Sequence, residues 1–138
     1  MGIVWEIGFG VFLLVTVVLG GGAAYLTGRA VALTWRAFAQ LGVYVLLLSV
    51  AVRFIHFALF GGTFFQVHHE ADGTVSFAPL FTALHYWFFD MIVLLALAWL
   101  GFRATRARQM VGQYSWIYER SGGLGWRKRA APAPSETR

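Results

Sequence analysis

Three long apolar runs, each closed by a short polar stretch, set the pattern of this chain. They cover about residues 7–26, 39–60 and 81–102, and at roughly 1.5 Å rise per residue each is long enough to cross a hydrocarbon core of roughly 30 Å. The first, from Ile7 to Leu26, has no charged residue. Its length and the absence of a basic flank ahead of it argue against a cleaved signal peptide, leaving a first membrane span. The second, QLGVYVLLLSVAVRFIHFALF, carries Arg53 and His56, and the third carries His85 near its start and Asp90. The pattern predicts an all-α membrane protein with three transmembrane helices.

The connections are equally patterned. Residues 27–39 form a short polar link with Arg29 and Arg36, and Trp35 suits the headgroup level. Between the second and third spans, FFQVHHEADGTVSFAPLF alternates around Asp72-Gly73, which predicts a small exterior hairpin with ADGT as its turn. Pro79 precedes the third span, where its missing N–H is harmless. Beyond Phe102, Met110, Val111, Tyr114, Ile117 and Tyr118 recur at helical spacing, predicting a cytoplasmic amphipathic helix over 103–121. Residues 122–138, basic and rich in Pro and Ala, read as a disordered tail.

Composition agrees with this reading and excludes much else. At 59% hydrophobic and 12% charged, with mean hydropathy +0.66, the chain is too apolar for an ordinary soluble domain. It has no cysteine, which removes disulfides, iron–sulfur clusters and thiol nucleophiles. The net charge of +5 comes mostly from beyond Phe102, where 8 of the 11 basic residues lie. That position fits a cytoplasmic flank rather than a nucleic-acid surface. Counting Lys and Arg along the loops places the N-terminus and hairpin outside and the C-terminal segment in the cytoplasm of a bacterial inner membrane.

Candidate chemistry is confined to a few side chains. An arginine inside a span needs a neutralising partner. Asp90 is the one acid within another apolar run, so the sequence predicts an Arg53–Asp90 pair, with His56 and His85 at matched depth completing a buried polar cluster. The bland reading is a structural pair that fixes helix packing; the sharper one is a proton or ion relay. His56 and His85 also have the residue type and depth of axial ligands to a b-type haem, although histidines between helices more often serve as hydrogen-bonded glue. His68, His69, Glu70 and Asp72 supply metal-ligand atom types, yet adjacent strand residues point to opposite faces and read better as a solvated loop, so no metal is expected. Gly20, Gly21 and Gly22 offer a small-residue face, and Tyr114, Trp116, Ile117 and Tyr118 a cytoplasmic surface, for contact with larger partner subunits. No Walker loop, nucleophile elbow or HExxH motif is present, so no enzymatic activity is expected.

Three spans, the segment AVRFIHFALF, an acid in the third span, and RATRARQMVGQYSWIYERSG followed by WRKR together resemble a small uncharacterised membrane-protein family of proteobacteria. Gln113 to Arg120, QYSWIYER, is the most specific part of that likeness. Members of that family are often encoded beside branched-chain amino-acid ABC transporter genes. The resemblance implies a non-enzymatic accessory subunit bound to larger integral membrane subunits in a hetero-oligomer. The alternative expectation is a haem- or pigment-associated subunit of a respiratory or photosynthetic complex.

Overall fold

Uninterrupted apolar runs fold as helices because, in a membrane, a helix alone satisfies all its own backbone hydrogen bonds within one segment. The computed structural model describes Ile3 and residues 6–130, and three such helices dominate it. Helix α1 runs Phe9–Leu33, α2 runs Phe38–Phe60 and α3 runs Ala78–Gln113; each is long and apolar enough to cross a membrane. The chain is therefore mostly helical and compatible with a multi-pass membrane protein.

The first span extends beyond its expected end. Thr27 to Leu33 continue the helix, so the link to α2 shrinks to four residues. Within α1, Phe12–Gly20 is wound as a π-helix. Its backbone hydrogen bonds close over five residues rather than four, which widens the turn. Val15 and Gly20, five apart, accordingly both fall on the buried side, together with Thr16.

Small residues decide how α1 meets α3. A Cβ on Gly28 would collide with the carbonyl of Ala98, and one on Gly101 with the carbonyl of Tyr25. These backbones touch because the side chains are missing, the close approach expected of small-residue interfaces in membranes. Gly20 lies against Val52 and Leu94, and Gly21 against Leu97. Gly20 and Gly21 thus dock this chain's own helices, whereas Gly22 faces outward with nothing within 4 Å. The apolar core is Val15, Ala24, Val31, Leu41, Val45, Val52, Leu94 and Ala98.

At one end of the bundle, Gly61 adopts a left-handed φ of 69° that stops α2. Phe64 and Phe65 then fold back, Phe64 onto Phe54 and Phe57 and Phe65 onto Trp87. The expected hairpin is present: β1 (His68–His69) pairs antiparallel with β2 (Val75–Ser76). Asp72 caps its turn by accepting hydrogen bonds from the Thr74 backbone N–H at 2.9 Å and hydroxyl at 2.6 Å.

The other end departs from expectation. The helix predicted over 103–121 continues α3 only to Gln113. From Tyr114 the chain turns and forms a second hairpin, β3 (Tyr118–Ser121) with β4 (Gly125–Lys128), in the register Glu119↔Arg127 and Arg120↔Trp126. Gly122, at φ 71°, supplies the turn. Aromatic and polar residues flanking a glycine turn pair as strands more readily than they extend a helix. Residues 122–128, read from sequence as tail, are thus part of a folded hairpin that packs on α3; residues 131–138 lie outside the described residues. Tyr114, Trp116 and Ile117 are exposed around this turn and Tyr118 is half-buried.

Candidate functional site

Arg53 is 1% exposed, and its partner is not the one the apolar pattern selects. Its Nη2 donates to Glu6 Oε2 at 2.6 Å and to Thr63 Oγ1 at 2.6 Å. The Thr63 backbone N–H in turn donates to Glu6 Oε1 at 2.8 Å. The expected Arg53–Asp90 ion pair is therefore replaced by Arg53–Glu6. The reason is depth and reach. Arg53 stands seven residues before the end of α2, roughly 10 Å along the axis, and an arginine extends toward the nearer boundary. Glu6 lies just ahead of α1 at that same boundary, and the left-handed turn at Gly61 returns Thr63 to meet both.

Asp90 is buried on α3 at 3% exposure and accepts a hydrogen bond from the Thr16 hydroxyl at 2.8 Å. This bond joins the π-helical stretch of α1 to the middle of α3. His56 is buried one turn beyond Arg53. Its Nδ1–H donates to the Val52 carbonyl at 3.1 Å, which fixes the ring against its own helix. The Tyr86 ring lies 5.8 Å from the Arg53 guanidinium carbon, within cation–π range.

Glu6, Arg53, His56, Tyr86 and Asp90 line one cleft, whose volume of about 10 Å³ is room for a single water. Arg53 Nε–H is buried there with no acceptor among the described residues. Of the four residues expected to form the cluster, Arg53, His56 and Asp90 come together. His85 does not. It is exposed on α3, its Nε2–H donating to the Ile3 carbonyl at 2.9 Å and its ring against Tyr86 and Phe89. One helix turn holds about 3.6 residues, so His85 points elsewhere than Asp90, five residues on. His56 and His85 thus have separate partners and are not brought together.

Sequence reasoning missed Glu6, Thr16, Thr63 and Tyr86. Thr16 is the one hydroxyl between Phe9 and Leu26 other than Tyr25, and a lone threonine in an apolar span is a signal that a partner is near. Glu6 carried a weaker signal, as the nearest acid to the boundary Arg53 can reach. In the hairpin, Thr74 holds the exposed Asp72 carboxyl below its usual range through its side-chain and backbone hydrogen bonds. No group of three or more His, Asp or Glu residues placed to hold a metal ion occurs among the described residues.

Chemically, the cluster clamps. It ties the segment ahead of α1, the end of α2 and the loop after it through one guanidinium, and ties α1 to α3 through Asp90. Comparison with curated proteins and with solved structures finds no match. Two stretches, residues 8–78 and 74–129, match one family model, described as Domain of unknown function (DUF6867). Between them they take in all three helices and both hairpins, and the chain belongs to that family.

Proposed function

We propose that this protein is a non-enzymatic accessory subunit of a larger inner-membrane complex, held in one helix arrangement by its buried ion cluster. The observation that carries this reading is where the polar groups are spent. Glu6 and Thr63 hold the Arg53 Nη2 donor and Thr16 holds Asp90, around a cleft of about 10 Å³ that is too small for an organic substrate. The spans meanwhile bury only 28%, 28% and 22% of their most apolar windows inside the chain. Most of their surface faces lipid or larger subunits.

A branched-chain amino-acid ABC transporter of proteobacteria is the assembly favoured by the resemblance in the QYSWIYER region. In that setting the N-terminus and the first hairpin face the exterior and the basic hairpin faces the cytoplasm, in keeping with the distribution of Lys and Arg. Extraction into native lipid particles followed by intact-complex mass spectrometry tests the proposal. The expected result is this chain together with permease and ATPase subunits. Recovery only as a lone 15.4 kDa species contradicts it.

A further inference from the structure

Helix α1 ends in a Schellman turn: Arg36 N–H donates to Val31 O at 3.2 Å and Trp35 N–H to Ala32 O at 3.1 Å. The residue after the helix cap in this motif is usually glycine, because its φ is positive. Here it is Trp35, at φ 55°, the one non-glycine residue with positive φ among those described. A bulky residue in that conformation is strained and marks a place to look for function. What the strain achieves is visible. The Trp35 ring lies 4.4 Å from the Arg106 guanidinium carbon, and the Phe102 ring lies 5.2 Å from it. One donor, Nη2, reaches the Arg36 carbonyl at 3.3 Å.

Arg106 is thereby held by two aromatic rings with most of its five donors unspent. Anions of the chain's own do not meet them. Among the described residues the one acid at this end is Glu119, and Arg127 holds it. Phe102 also makes an edge contact with Phe38 at 5.6 Å. Phe38 begins an apolar groove of about 330 Å³ with Ile92, Leu95, Ala96 and Trp99. From Ile92 to Arg106 is roughly 21 Å along α3, close to the thickness of one leaflet with its headgroups, roughly 20–22 Å.

We propose that Arg106 binds the phosphate of an anionic phospholipid, one of whose acyl chains lies in the groove from Phe38 to Ile92. A planar guanidinium stacked on aromatics suits a phosphate, which takes two parallel hydrogen bonds from it. Charge selects the headgroup and the groove selects a lipid over a free ion.

The full chain, in detergent with equal phosphatidylglycerol and phosphatidylcholine, is examined by native mass spectrometry. The wild type should retain the anionic lipid over the neutral one by about tenfold, the size of one charge-assisted contact. Arg106→Gln should bring that ratio close to one. Trp35→Gly should lower it as well while leaving the protein at least as resistant to heat, since glycine suits the turn. Ala96→Phe, which fills the groove, should reduce retention of both lipids. Added inorganic phosphate should leave the bound lipid in place. Equal retention of both lipids by the wild type, a preference undiminished in Arg106→Gln, or full displacement by inorganic phosphate overturns the proposal.

Discussion

The two ends of this molecule each hold an arginine–glutamate pair at 2.6 Å, and the pairs differ in almost everything else. Arg53 and Glu6 have side chains 2% and 7% exposed, whereas Arg127 and Glu119 are 70% and 37% exposed. Identical distance does not mean identical consequence. An exposed pair contributes little, because water solvates each ion nearly as well as its partner does. A buried pair also adds little net stability over an apolar replacement, but losing one member leaves a charge that nothing solvates. The inner pair is thus a latch whose halves depend on each other, and the outer pair is a cross-strand ornament of a hairpin.

The largest effect should come from breaking the latch. Arg53→Met leaves Glu6 buried and unpaired, and should cost about 3–5 kcal/mol of stability, read as a fall in melting temperature in a fixed detergent. The double variant Arg53→Met with Glu6→Gln should recover most of that loss. Equal losses in the single and double variants would mean that the Arg53→Met change acts through shape rather than charge. At the other end, a double-mutant cycle over Glu119→Gln and Arg127→Gln should yield a coupling of no more than about 1 kcal/mol that shrinks with added salt. A salt-independent coupling as large as that of the inner pair would erase the contrast.

The smallest effect is a pH dependence at the β1–β2 hairpin. Thr74 holds the Asp72 carboxyl below its ordinary value, so its contribution is present above the unfolded pKa, about 3.9, and is lost as pH falls through the lower folded value. The protection of the Thr74 amide, its exchange rate relative to the intrinsic rate at each pH, should accordingly fall only once the pH drops below the ordinary carboxyl value of about 3.9. Asp72→Asn should abolish that pH dependence, and an unchanged profile in the variant would assign it elsewhere.

How much of this was legible in the sequence follows the same division. Apolar length announced all three spans, and the Asp72-Gly73 turn announced the first hairpin, because both signals are local. The burial of Arg53 was legible too, from the cost of a bare cation in hydrocarbon. Its partner was not, since choosing among acids by whether they lie in an apolar run ignores how far an arginine reaches along its helix. That rule favoured Asp90 over Glu6. The second hairpin was hidden for a different reason. Met110, Val111, Tyr114, Ile117 and Tyr118 fit a helical stripe, and only the pairing of Arg120 with Trp126 and Glu119 with Arg127 across Gly122 shows why strands prevail. Gly20 and Gly21, expected to face a partner subunit, instead meet this chain's own helices, because Val52, Leu94 and Leu97 are there to receive them.

Glu6 rather than Asp90 makes the direct ion pair with the arginine of the middle helix, and the decisive comparison is between the thermal stabilities of Glu6→Gln and Asp90→Asn, measured side by side in one detergent. The greater loss is expected for Glu6→Gln, which strands a buried guanidinium, and a smaller one for Asp90→Asn, whose amide can still accept the Thr16 hydroxyl. A Glu6→Gln protein as stable as the wild type, with Asp90→Asn severely destabilised, would contradict this assignment.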